Sequence, residues 1–188
     1  NGADKDTSDN WGGTLLHVAV EKGYREIVDY LLREKVELTI GIRNHLALCP
    51  IHLAAKNGDI EIFKIFLKHN IPVDYDAKGL SSNILGVNKL ASPLFFAVEK
   101  NHFEMVKFLL SKGAKLNRRW YFDTILHQAT EYADFNIIEY LVEKGVAVDQ
   151  LNTNKKGAYN KKSYTPLYYA VLRNKIRAVE LICENKAD

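Results

Sequence analysis

Three histidines of this chain occupy one place in a recurring phrase: Thr14-Leu15-Leu16-His17, Cys49-Pro50-Ile51-His52 and Thr124-Ile125-Leu126-His127. Imidazoles at matched positions are what a ladder of metal ligands would need. Cys49, three residues before His52, offers a thiol and a base, the pair that nucleophilic catalysis requires. Two further copies of the phrase weigh against both readings. Ser92-Pro93-Leu94-Phe95 and Thr165-Pro166-Leu167-Tyr168 put a phenylalanine and a tyrosine in the histidine slot, so the slot does not demand a ligand. Units stacked like packed helices lie roughly 10 Å apart. Zinc needs its ligands at about 2.0–2.1 Å, so histidines of neighbouring units cannot share one ion. Cys49 stands where threonine stands elsewhere, and no third group orients a thiol–imidazole pair. Ser81-Ser82 has no histidine near it in sequence, and neither G-x-x-x-x-G-K-[ST] nor G-x-G-x-x-G occurs. The expectation is a chain that is not an enzyme, with no catalytic residue, no metal ligand and no cofactor.

The phrase itself carries more information than its histidines. It begins at residues 14, 49, 92, 124 and 165, at spacings of 35, 43, 32 and 41 residues, and an alanine follows its last position by two: Ala19, Ala54, Ala97, Ala129 and Ala170. A unit that recurs at a period near 33, with extra residues in two places, must be read as a stack. Each copy starts a helix. The hydroxyls of Thr14, Ser92, Thr124 and Thr165 are suited to cap an N-terminus. Pro50, Pro93 and Pro166 follow where a missing N–H costs nothing. The alanine lets the neighbouring helix approach closely. A second helix follows in each unit, with apolar residues at i, i+1, i+4 and i+5: Ile27, Val28, Leu31 and Leu32 in the first, Ala178, Val179, Ile182 and Cys183 in the fifth. That spacing makes a broad apolar stripe. A charge between the pairs (Asp29, Lys64, Lys107, Glu139, Glu180) is expected to face solvent. Gly23 and Gly58 supply the turn between the two helices. Asn101, Ala133 and Asn174 replace them later, and Ala133 fits that role least.

The T-P-L-H-x-A signature at this period resembles the ankyrin repeat, and the resemblance covers essentially the whole chain. It implies an all-α fold, an ankyrin-repeat solenoid of about five helix-turn-helix repeats with hairpin or finger loops, two of them lengthened. The repeats read as approximately 9–41, 44–76, 87–118, 119–150 and 160–188, with a partial repeat at 1–8 and finger insertions at 77–86 and 151–159, in a single domain over 1–188. Asn1-Gly2-Ala3-Asp4 and Lys186-Ala187-Asp188 resemble the closing phrase of a repeat, so the chain reads as a fragment of a longer array. In the family the histidine braces the loop between neighbouring units through hydrogen bonds.

The resemblance further implies a concave face, made by fingertips and first helices, that binds another protein. The residues the fold leaves free there are the candidate contacts. Trp11, Trp120, Tyr121, Tyr132 and Tyr164 are aromatic anchors, the residue class enriched at binding hot spots. Glu21, Lys22, Lys56, Glu99, Lys100, Glu131 and Arg173 form a charged rim. Leu85, in the 77–86 insertion, puts an apolar side chain on an extended finger. The fourth unit is the expected centre. The chain is therefore read as a non-catalytic protein-protein interaction module, a scaffold surface for a partner polypeptide. One alternative makes it the targeting arm of a larger enzyme, effector or channel.

A second alternative is nucleic-acid binding through a basic C-terminal face, where Lys155, Lys156, Lys161, Lys162, Arg173, Lys175 and Arg177 gather. The net charge of +3 gives that reading little support, and a solvated, soluble surface is the preferred one. Composition, 47% hydrophobic and 26% charged, is that of a globular protein, and no apolar run reaches membrane-spanning length. Cys49 falls in a capping slot and Cys183 in a core slot more than three units away, so no bridge joins them. Two buried free thiols imply a reducing, intracellular compartment, cytoplasmic or nuclear.

Overall fold

The computed structural model describes residues 13–35, 48–75, 92–120, 123–152 and 163–185. Ten helices and one two-residue ladder account for their regular structure. In chain order they are α1 (Leu15–Glu21), α2 (Arg25–Arg33), α3 (Pro50–Asn57), α4 (Ile60–Lys68), α5 (Pro93–Glu99), α6 (Phe103–Ser111), β1 (Arg119–Trp120), β2 (Asp123–Thr124), α7 (Ile125–Tyr132), α8 (Phe135–Glu143), α9 (Pro166–Leu172) and α10 (Ile176–Glu184). They form five helix pairs. The first helices pack in sequence, α1 on α3 on α5 on α7 on α9, and the second helices form an outer layer that includes α2 on α4 and α6 on α8 on α10. This is an all-α solenoid of stacked units, each burying its apolar stripe against the next.

The phrase explains the inner layer. Ala19, Ala54, Ala97, Ala129 and Ala170 are at most 3% exposed, which brings first helices within reach of each other. Outer-layer residues close the core from the other side: Val28, Ile62, Phe63, Met105, Val106, Ile137 and Ile138 are all buried. Phe63 of α4 meets Phe108 of α6 edge-on at 6.0 Å, and Phe103 of α6 meets Tyr140 of α8 at 5.7 Å and 87°. Such edge-to-face pairs add to the burial of their area.

Turn chemistry also follows the register. Gly23, Gly58, Asn101 and Asn174 adopt the left-handed conformation at φ +74°, +71°, +60° and +54°. At Gly58 the requirement is double: an added Cβ would lie 2.9 Å from the His102 ring. Ala133 departs from the series. It stays extended at φ −92°, and its unit closes the turn differently.

Three expectations are corrected. Ser92 starts α5 but makes no side-chain cap bond, and its buried hydroxyl has no partner. Phe95 has no ring nitrogen to meet that hydroxyl, as His17 and His127 meet those of Thr14 and Thr124. Cys183 is exposed rather than in the core, because no described unit stacks on α10, whereas Cys49 is buried. Asp29 does not simply face solvent. It is half-buried and gathers His69 at 2.9 Å, Arg33 at 3.2 Å and Lys68 at 3.3 Å.

Candidate partner-binding face

The histidines act as braces. The Nδ1 of His17, His52 and His127 accepts the N–H of Thr14, Cys49 and Thr124 at 3.2, 3.2 and 3.1 Å. With Nδ1 an acceptor, Nε2 carries the proton. It donates to the carbonyls of Leu48 (2.8 Å) and Tyr164 (3.1 Å) in the next unit, and to that of Tyr75 (3.2 Å) at the end of its own. Each brace ties a helix start to the chain that enters or leaves a finger, so first helices and finger bases move as one body. Among the described residues no three His, Cys, Asp or Glu side chains come together as a metal site.

The finger bases are fixed in other ways too. In the fourth unit Arg119 pairs with Thr124 and Trp120 with Asp123 in a short antiparallel ladder. In the fifth, Asn152 N–H donates to Tyr164 O at 2.9 Å, and Tyr164 N–H to Asn152 Oδ1 at 2.6 Å. Asn152 Nδ2 also donates to Asp123 Oδ1 (3.1 Å) and to the Tyr169 hydroxyl (3.2 Å), which joins the fourth and fifth units.

On this frame the C-terminal ends of α5, α7 and α9 present a charged and aromatic row. Lys100 and Glu99 pair at 2.9 Å, and Arg173 and Glu131 at 2.7 Å across two units. Tyr132 lies among them, 51% exposed. Burial of part of its ring pushes the phenol up, and the charge and hydrogen bond of Glu131 push it further, with Glu99 adding and Arg173 opposing. Tyr169 is raised by burial and then by Asp123 and Glu131. Four predicted residues, Glu99, Glu131, Tyr132 and Arg173, are thus brought into one electrostatic neighbourhood, with Lys100 on its edge.

The remaining predicted contacts are spread out. Glu21 and Lys22 are exposed at the far end of the array. Lys56 is half-buried, and its carbonyl accepts from His102 Nε2 at 2.9 Å. Tyr164 is half-buried and stacks on Tyr168 at 4.1 Å and 23°. Trp120 belongs to β1, while Trp11, Tyr121 and Leu85 lie outside the described residues, as does the whole 77–86 insertion and all of 151–159 beyond Asn152. Of the basic run, Lys155, Lys156, Lys161 and Lys162 also lie outside them.

Sequence reasoning missed Tyr168, Tyr169 and Asn152 as members of this face. Tyr168 and Tyr169 pack edge-to-face at 6.1 Å, and Tyr169 meets the His127 ring at 5.6 Å and 89°. The signal was present, since Tyr164, Tyr168 and Tyr169 fall at i, i+4 and i+5 around the start of one helix.

Comparison with known proteins places this geometry. A family model of ankyrin repeats in three copies matches residues 36–120 and again 121–188, and a single ankyrin-repeat model matches 11–44. The chain is 29% identical over 140 residues to ankyrin repeat and SOCS box protein 11 of Pongo abelii, which covers 74% of this chain and 38% of that protein. It is 27% identical over 147 residues to a transient receptor potential cation channel subfamily A member 1 homolog of Caenorhabditis elegans, covering 78% of this chain and 11% of the channel. It is 25% identical over 190 residues to the E3 ubiquitin-protein ligase KEG of Arabidopsis thaliana, covering 100% of this chain and 11% of the ligase. The chain therefore spans well under half the length of each of these relatives.

Proposed function

Because the chain belongs to the ankyrin-repeat family, we propose that it holds a partner polypeptide on the face formed by its first helices and fingers, without catalysis of its own. Ankyrin repeats are non-catalytic protein-protein interaction modules; the face and the partner are what this proposal adds. It takes residues 1–188 as one array and puts the centre of contact in the fourth unit. The observation that carries it is Tyr132. A large aromatic ring stands half-exposed between the Glu99–Lys100 and Glu131–Arg173 pairs, at the end of α7, whose start the His127 brace ties to Tyr164. An amphipathic anchor in a fixed polar surround is what interface hot spots use, and a rigid face loses little entropy on binding. Trp11, Trp120, Tyr121 and Leu85 extend the proposed surface along the fingers, and Glu21, Lys22 and Lys56 extend its rim.

The parent protein's activity is a separate matter. Relatives named as a channel, a ubiquitin ligase and a SOCS box protein each contain far more chain than this one. That supports reading the array as the recruiting arm of a larger protein. A photo-crosslinking residue at position 132 should yield polypeptide adducts in lysate, while the same residue at Glu143, exposed at the end of outer helix α8, should not. Equal adducts from both positions would remove the concave face from the account.

A further inference from the structure

A groove of about 320 Å³ opens between the fourth and fifth units, at the opposite end of α7 from the finger. Phe135, Ile138, Ile176 and Ala178 give it an apolar lining, and Lys175 and Arg177 line it too. The origin of the space is visible in the register. One interface earlier, the ring of Phe103 is covered edge-on by Tyr140. The matching positions here are Phe135 and Leu181, and leucine is too short to repeat that cover. The turn at Ala133, extended where four others are left-handed, shapes the adjoining wall.

The groove is polarised. The Arg177 guanidinium lies 3.9 Å from the centre of the Phe135 ring, a cation–π arrangement. Among the described residues it has no carboxylate partner and no hydrogen-bond acceptor, so its donors are uncommitted. Lys175 adds a second positive charge. It donates to the carbonyls of Ala129 and Ala133, which occupies two of its hydrogens without cancelling its charge. The one acid on the lining, Asp134, accepts from the Asn101 amide at 2.5 Å and keeps its negative charge, so the two cations outnumber it by one. Ile176 contributes an apolar side chain 66% exposed to solvent.

We propose that this groove is a second docking site, for a peptide segment of a partner that sets an aliphatic side chain beside aspartate or glutamate. The aliphatic group covers Phe135, Ile138 and Ile176, and the carboxylate meets the free fork of Arg177 in the field of Lys175, a charge-assisted pairing. A nucleic-acid strand would use the same cations but would leave the apolar lining wet. Those two cations come from the basic C-terminal run, whose third described member, Arg173, is already paired with Glu131. The lining begins at Ala133, next to Tyr132, but leaves Tyr132 out and draws most of its side chains from α8 and α10, so the proposal does not rest on the concave-face reading.

The test is an amide-resolved NMR titration of the 188-residue chain. The probe is a short acetylated peptide with a leucine between two aspartates. The controls are the same peptide with lysines in place of the aspartates, and a short polythymidine strand. Shifts confined to the segments 133–135 and 174–178, from the acidic peptide alone and approaching saturation by about 1 mM, are expected. Arg177→Glu should weaken the response at least about tenfold, and Ile176→Ser and Arg177→Lys should each reduce it by less, while Tyr132→Ala retains it. Both groove positions are at the surface, so the variants keep the parent spectrum elsewhere. No localised shifts from the acidic peptide would overturn the proposal. So would equal shifts from the lysine peptide, shifts from polythymidine alone, or binding indifferent to Arg177→Glu.

Discussion

The ammonium of Lys175 donates to the carbonyl oxygen of Ala133 at 2.6 Å and reaches that of Ala129 at 3.4 Å. In the other four units a backbone N–H does the second of these tasks: Tyr24 to Ala19, Asp59 to Ala54, His102 to Ala97 and Lys175 to Ala170, all at 2.9–3.0 Å. In the fourth unit Ala133 is extended, and its own N–H, not that of Asp134, meets the Ala129 carbonyl, at 3.0 Å. Asp134 N–H turns instead to Asn101 Oδ1, at 2.9 Å in the unit before. The irregular turn is therefore stitched on both sides by its neighbours, with the cation at a helix C-terminus where the backbone dipole favours it.

Lys175→Met should destabilise the array by about 1–3 kcal/mol in urea unfolding, since the Ala133 carbonyl loses its donor, while that of Ala129 keeps the Ala133 N–H at 3.0 Å. Ala133→Gly, which admits the left-handed turn, should shrink that cost; an additive double variant would contradict the account. Burial holds the Lys175 ammonium below its ordinary 10.5. The unfolded chain then binds more protons between the two values, so this residue's contribution to stability rises with pH across that window. Lys175→Met should lack that rise.

Gly58 and Gly23 share a left-handed backbone, yet only Gly58 meets a neighbour. Both alanine variants carry the conformational cost of about 1–2 kcal/mol. Gly58→Ala should cost more, because it also displaces His102 from the Lys56 carbonyl. Equal unfolding midpoints would refute the steric part.

The third unit has lost its brace, and the loss is repairable. Phe95→His would give the buried Ser92 hydroxyl a ring nitrogen to meet and a second nitrogen aimed at the next finger. A neutral or stabilising change is expected, up to about 1.5 kcal/mol, against a loss of about 1–3 kcal/mol for His127→Ala. Thermal unfolding of the two variants side by side decides it.

Asp29 predicts the acid limb. The hydrogen bond from His69 holds its carboxyl below 3.8, assisted by Lys68 and Arg33 and opposed by burial. A depressed folded value contributes stability that is present above 3.8 and lost as pH falls through the folded value. The stability gap between parent and Asp29→Asn should therefore be constant near neutrality and close below pH 3.8. A gap independent of pH would contradict this.

Local signals made most of the fold legible. Capping hydroxyls, prolines at the first helical position and the alanine two residues past the phrase act within one unit, so one unit's sequence reveals them. What escaped depends on two units at once. The unpaired Ser92 hydroxyl needs Phe95 to be read as a missing partner. The reach of Lys175 needs the backbone of the preceding turn, and the gathering of His69, Lys68 and Arg33 around Asp29 needs two outer helices in contact. The site was legible in part for the same reason. Glu99 and Glu131 share one repeat position, Tyr132 and Arg173 share the next, and so the four converge, whereas Tyr168 and Tyr169 join through a stack that no single position announces.

The central claim is that a partner is held at Tyr132 and its finger, and the affinity of a captured partner tests it most directly. The Trp120→Ala, Tyr132→Ala double variant should bind that partner at least about tenfold more weakly while its thermal transition stays with the parent's. Unchanged affinity, or a collapse of the transition, would contradict the claim: the first would move the contact elsewhere, and the second would assign these rings to the packing of the array.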